Sequence, residues 1–238
     1  MIFAAGLGTR LAPLTDACPK ALLPVGGVPM LERVARRMVA AGVTRLVINV
    51  CPFADRIEAF VREKNGFGID VVLSRESPAP LETGGGLLAA RALFRSTDPL
   101  LLHNVDILSD LPLVSLLDAH RRDRPLATLA VMDRPTSRRL LFDDRGLLGR
   151  VDDAKGLRTL VRPAIGRITE LAFSGVHAVA QSLLERLTET GRFSILDPYL
   201  RLAASGCVVL PFRVDGFPWI DIGRPEDLAR SEALSLPG

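Results

Sequence analysis

From residue 1 to about residue 130, short β-branched or leucine-rich runs alternate with segments whose apolar residues recur at helical spacing. This alternation constrains the fold more than any other feature. Residues 1–5, 45–50, 69–73, 100–104 and 127–131 read as strands, each too short and too continuous in its apolar run to be a helix. Residues 29–41 read as a helix with Met30, Leu31, Val34, Met38 and Val39 on its apolar side, closed by Gly42. Residues 54–62, 84–94 and 112–120 read as further helices. A strand–helix–strand repeat demands parallel pairing, and right-handed crossovers place helices on both faces. The expected fold class is therefore α/β, a doubly wound, mostly parallel Rossmann-like sheet.

The periodicity breaks down over residues 135–170, which are rich in Arg, Asp, Gly and Pro. The apolar pieces Leu140-Leu141-Phe142 and Leu147-Leu148 predict β-hairpins inserted over the sheet. A strand at 171–179, helices near 182–188 and 196–204, a strand at 207–214 and a closing helix at 225–234 follow. No repeat or low-complexity linker interrupts the 238 residues, so one domain with halves at about 1–134 and 135–238 is expected.

Composition excludes several classes. A net charge of only +3 gives no basic tail or stripe for nucleic acid. The three cysteines, Cys18, Cys51 and Cys207, are widely spaced and form no CxxC pair, so neither a disulfide framework nor a zinc site is expected. No apolar run approaches the roughly 18 residues of a membrane span, and the N-terminus lacks the basic start of a secretory signal. The expected location is the cytoplasm.

The chemistry concentrates after the first strand. Gly6-Leu7-Gly8-Thr9-Arg10 turns the chain so that backbone N–H groups can approach a phosphate, and Arg10 and Lys20 add two cations to one loop. Lys20 is one of only three lysines, with Lys64 and Lys155, among 30 basic residues, so a compact ammonium here is informative. A lone GxG is also a common surface turn. The dinucleotide fingerprint fails because Leu11 stands at its third glycine, which argues against a nicotinamide-dependent oxidoreductase, and the P-loop pattern is absent.

The segment GxGTRLxPLTxxxPKxLLPV resembles the N-terminal pyrophosphorylase motif of the sugar-1-phosphate nucleotidyltransferases, which include glucose-1-phosphate thymidylyltransferases and mannose-1-phosphate guanylyltransferases. Further similarity lies at Glu82-Thr83-Gly84-Gly85-Gly86, Asn104-Val105-Asp106 and Trp219-Ile220-Asp221-Ile222-Gly223. The ETGGG form in so short a chain is similar to the N-acetylmuramate α-1-phosphate uridylyltransferases of cell-wall recycling. The resemblance implies a sheet of the nucleotide-diphospho-sugar transferase type and transfer of a nucleoside monophosphate from UTP or dTTP to a sugar 1-phosphate. It implies a nucleotide-binding first half and a sugar-binding second half. Guanylyl or cytidylyl transfer, and a silent nucleotide-sugar sensor on the same fold, are the alternatives.

The same resemblance carries roles to residues. Arg10 and Lys20 are implied to be catalytic, and Ala5, Gly6, Gly8, Thr9, Glu82, Thr83 and Gly84 to bind the nucleotide. Asp106 and Asp221 are implied to hold Mg²⁺, which suits two carboxylates from distant segments with phosphate oxygens and water completing the shell; each is also a residue type common at strand ends and caps. Glycines at 84–86 would expose amides and leave room for a flat base, or form a flexible loop with Thr83 as the cap. Lys155 and Glu170 are placed toward the sugar phosphate and hydroxyls, with Gly175 allowing close approach, although Lys155 also reads as a solvated surface lysine. Val105 stands where the family more often has glycine. His177 has no identifiable nucleophile partner and reads as structural.

Overall fold

The computed structural model describes residues 1–95 and 99–232. The chain runs β1 (Ile2–Phe3), α1 (Leu14–Ala17), β2 (Pro24–Val25), β3 (Val28–Pro29), α2 (Met30–Ala40), β4 (Arg45–Val50), α3 (Ala54–Glu63), β5 (Asp70–Arg75), α4 (Glu82–Ala89), β6 (Leu100–Asn104), β7 (Ile107–Ser109) and α5 (Leu113–Asp123). It continues with β8 (Ala127–Met132), β9 (Arg138–Asp143), β10 (Gly146–Asp152), β11 (Leu157–Leu160), β12 (Thr169–Val179), α6 (Leu183–Arg186), α7 (Leu196–Ala204), β13 (Val209–Arg213), β14 (Trp219–Asp221) and α8 (Pro225–Glu232).

Strands β5, β4, β1 and β6 pair in parallel in that order, as the alternation predicts. Side-chain alternation then sorts the core into two layers. Leu46, Ile48 and Leu101 pack with Leu31, Val34 and Met38 of α2, Ile57 of α3 and Leu116 of α5. Val47, Leu100 and Leu102 face the other way, against Leu87 of α4, Leu183 of α6 and Tyr199 of α7. Helices thus cover both faces.

Strand β12 organises the second half. Its last residues pair antiparallel with β6, Val176 against His103 through Val179 against Leu100, and its first residues pair with β9. β8 runs antiparallel to β12, and β13 runs parallel to β8. The stretch 135–170 forms the expected hairpins, β9–β10 and β10–β11, but they continue the sheet edge to edge and do not lie over it. Its short apolar runs alternate: Leu140 and Phe142 enter one core cluster while Leu141 joins a small one with Leu148 and Val151. The expected helix 84–94 ends at Ala89 and gives way to a separate 3₁₀ turn, Arg91–Leu93. The closing helix spans Pro225–Glu232, and the last two residues expected for it, 233 and 234, lie outside the described residues. All three cysteines are unpaired. No helix among the described residues is long and apolar enough to cross a membrane.

Two buried imidazoles give the fold a pH dependence. His177 sits between Phe173 at 5.2 Å and Tyr199, edge-on at 5.8 Å, and neither of its ring nitrogens has a hydrogen-bond partner. Burial lowers its pKa to about 3, and burial likewise lowers that of His103 to about 4 against the opposing bond to the Asn104 carbonyl. Both groups are neutral when folded and take up protons on unfolding below about pH 6.5. Stability present above that pH is therefore lost as pH falls toward 4. Each imidazole is expected to cost about 2 kcal/mol at pH 5 relative to pH 8. Denaturant midpoints across that range test this: His177→Phe should remove about half of the histidine-linked slope, and parallel curves for parent and variant would contradict it.

Candidate active site

The carboxyl ends of the parallel strands open onto a cleft of about 460 Å³. The loop leaving β1 supplies Ala5, Gly6, Gly8, Thr9 and Arg10 to its lining, joined by Lys20, Glu82, Thr83 and Asp106. The amides of Gly6, Leu7 and Gly8 donate to no protein acceptor among the described residues, so they remain available to an anion. Gly8 has φ +66°, and a Cβ there would lie 2.8 Å from Thr15 Cγ2 and 3.1 Å from Lys20 Cβ. Only glycine fits that left-handed, crowded position. Thr15 Oγ1 donates to the Gly8 carbonyl at 2.9 Å and fixes the loop. Gly6, in contrast, faces open space.

Asp106 lines the cleft, and Asp221 stands close behind it. β7 pairs antiparallel with β14 so that Ile107 faces Asp221, and the Ile222 amide donates to the Asp106 carbonyl at 2.8 Å. Lys20 Nζ lies 2.6 Å from Asp106 Oδ2. Asp221 Oδ1 is buried without a hydrogen-bond partner. Burial raises the pKa of Asp221, the Asp106 charge adds to the rise, and Lys20 and Arg10 oppose it. A partnerless buried carboxylate oxygen beside a second carboxylate suits a divalent cation, which would relieve both the desolvation and the repulsion. Among the described residues no group of three or more His, Cys, Asp or Glu could hold a metal, so the pair would leave most of the shell to phosphate and water. Val105 does not take positive φ, and it buries its side chain in the core while its amide extends the β1 ladder to Phe3. Glycine is not required there.

Three of the expected ligand contacts are engaged within the protein itself. Gly84, Gly85 and Gly86 are buried packing residues and leave no room for a base. A Cβ on Gly84 would enter the Phe193 ring, one on Gly85 the Gly191 carbonyl, and one on Gly86 would lie 2.6 Å from Glu76 Oε1. The Gly84 and Gly85 amides already donate to the Phe193 carbonyl at 3.0 and 3.2 Å. Thr83 Oγ1 accepts from the Ile195 amide, just before α7, at 3.0 Å and does not cap its own helix. Gly175 has φ +81°, but the space its missing Cβ leaves is filled by Ile107 and by Asn104, 3.0 Å away at Nδ2. Glu170 accepts from Arg139 Nε at 2.8 Å and from Arg158, so both carboxylate oxygens are taken.

Lys155 lines a second cavity of about 540 Å³, which shares Glu82 with the first and is bounded by Arg134, Arg139, Phe173 and Ser194. Sequence reasoning passed over several neighbours. Gly223 lets Arg10 and Asp221 approach, since a Cβ would meet Arg10 Nη2 at 2.9 Å and Asp221 Oδ1 at 3.1 Å. Asn49 accepts from the Ala4 amide at 2.8 Å and donates to Glu76 Oε1 at 2.7 Å, while Glu76 Oε2 accepts from the Leu81 amide at 2.7 Å. This buried relay ties the root of the glycine loop to the start of α4. An asparagine inside the apolar run Leu46–Val50 was the readable signal.

Similarity to known proteins agrees with this geometry. Residues 1–235 match the nucleotidyl transferase family. An N-acetylmuramate α-1-phosphate uridylyltransferase of Caulobacter vibrioides is 35% identical over 98% of this chain and 95% of its own length. A mannose-1-phosphate guanylyltransferase of Mycobacterium tuberculosis is 28% identical over the whole chain but only 64% of its own length. A Bacillus anthracis protein designated a glucose-1-phosphate thymidylyltransferase shares the fold, with a TM-score of 0.83 over 100% of this chain and 95% of that one at 17% identity. The chain belongs to the nucleotidyl transferase family and is an enzyme of the sugar-1-phosphate nucleotidyltransferase type.

Proposed function

We propose that the chain transfers UMP from UTP to N-acetylmuramate α-1-phosphate in the cytoplasm and releases pyrophosphate. The observation that carries this reading is near-full-length similarity to an enzyme of that activity, joined to a glycine loop that brings free amides, Arg10 and Lys20 beside Asp106 in one cleft. The nucleotide occupies the first cavity and the acceptor the second. Residues 1–134 supply most of the first lining, but Arg192 and Gly223 also reach it, so the two halves share the nucleotide site.

The acceptor phosphate oxygen attacks the α-phosphorus in line; the new O–P bond forms as the bond to the β-phosphate breaks. No general base is needed, because the attacking phosphate is already ionised. The loop amides of Gly6, Leu7 and Gly8 and the Arg10 guanidinium hold the leaving pyrophosphate. Lys20 stays close to the reacting phosphates, and Lys155 orients the acceptor phosphate. Asp106 and Asp221 would hold Mg²⁺, which supplies charge neutralisation at the α-phosphate and a template for both reactants. Most of the rate then comes from positioning and fixed charge.

Pyrophosphate release from UTP, dTTP, GTP, CTP and ATP against a panel of sugar 1-phosphates tests the reading. UTP with N-acetylmuramate α-1-phosphate is expected to give the highest kcat/KM, with dTTP as the next base. A preference for GTP with mannose or heptose phosphate would move the chain to the guanylyltransferases, and no turnover with any pair would make it a sensor.

A further inference from the structure

The acceptor cavity is lined by five cations, and their partners separate them. Arg138 faces Asp152 at 3.7 Å, Arg139 is taken by Asp153 and Glu170, and Arg150 bonds Asp197 at 2.8 Å. Lys155 and Arg134 have no carboxylate partner among the described residues. Lys155 lies on an exposed turn, where water satisfies an ammonium at little cost.

Arg134 differs. Its guanidinium carbon stacks 4.2 Å from the centroid of the Trp219 ring. Trp219 is itself fixed, its Nε1–H donating to the Ser174 carbonyl at 2.9 Å. Among the described residues the only hydrogen bond of Arg134 is a long one, 3.4 Å from Nη2 to the Phe173 carbonyl, and its Nε is buried with no partner. Burial lowers the pKa of this guanidinium while the nearby Asp221 works against the fall. Holding a cation in that state costs free energy unless an anion completes it, and the flat indole orients the fork before the anion arrives.

In the proposed reaction the acceptor phosphate is met by Lys155 and by the cation that Asp106 and Asp221 would hold. A second anion on the acceptor remains to be matched. N-acetylmuramate differs from N-acetylglucosamine by a lactyl ether, whose carboxylate has the planar two-oxygen geometry that a guanidinium fork fits. Resting on the function proposed above, we infer that Arg134, stacked on Trp219, binds the lactyl carboxylate and selects sugar 1-phosphates that bear this second anionic group.

The experiment compares N-acetylmuramate α-1-phosphate with N-acetylglucosamine α-1-phosphate, with UTP, in the parent, Arg134→Gln and Arg134→Lys. The parent should prefer the carboxylate-bearing acceptor, and Arg134→Gln should reduce that preference roughly 10- to 100-fold, mainly through KM. Arg134→Lys, which keeps the charge without the fork, should fall between. Equal losses on both acceptors would place Arg134 on the phosphate or in the fold and overturn the inference, as would an unchanged preference in Arg134→Gln. Calorimetric titration of the two acceptors reads the same contrast without turnover. A parent inactive with UTP that still binds the muramate phosphate more tightly through Arg134 would keep the anion site and sink the proposed reaction. An active parent whose preference ignores Arg134 would do the reverse.

Discussion

Asp106→Asn is expected to lower kcat by about 10²–10⁴ while leaving the fold intact. Asp106 is partly exposed while its ion-pair partner Lys20 is buried; asparagine keeps an acceptor oxygen for the Lys20 ammonium, and the neighbouring Asp221 also faces that charge, so the fold should survive the substitution. The catalytic loss is large for a different reason. Asp221 is half-buried with its Oδ1 buried and partnerless, and a single carboxylate holds a hard cation poorly when the rest of the shell is substrate and water. The measurement is kcat for parent and variant across a Mg²⁺ titration, with the unfolding midpoint as control. Chelation should silence the parent. Near-normal turnover in the variant, together with a parent indifferent to chelator, would remove Asp106 from the metal site.

Gly85→Ala is expected to destabilise the protein by about 3 kcal/mol or more, at the upper end of overpacking costs. The added Cβ would strike the backbone carbonyl of Gly191 and lie 2.9 Å from Leu81 Cβ, and neither atom can rotate clear. Gly6→Ala is the matched comparison. It meets nothing within 4 Å, so it should fold like the parent and weaken nucleotide binding instead. Thermal or denaturant midpoints with UTP titration separate the two outcomes. A Gly85→Ala protein as stable as the parent would mean that the helix start is loose and that its glycines serve the ligand.

These two glycines show where the sequence is legible and where it stops. Alternating apolar runs report burial, so the parallel strands β5, β4, β1 and β6 and the helices between them could be read directly. The antiparallel extension could not, because β9 to β11 owe their place to pairing with β12, a partner that local spacing does not name. A glycine looks the same whether a ligand or a phenyl ring fills the missing Cβ; Gly6 and Gly84 differ only in what the fold brings against them. Arg134 was invisible for another reason. With 27 arginines in the chain, one more carries no signal until the indole beneath it and its lack of a carboxylate partner are seen.

The three-residue strand β14 acts as a gauge for the carboxylate pair. Its register against β7 and the Ile222-to-Asp106 backbone bond, not side-chain rotamers, set where Asp221 stands. A slip of one residue would turn Asp221 to the opposite face and put an isoleucine in its place. A single residue inserted between Trp219 and Ile220, inside the strand, would thus erase the pair more completely than most substitutions within the cleft, although it touches no carboxylate.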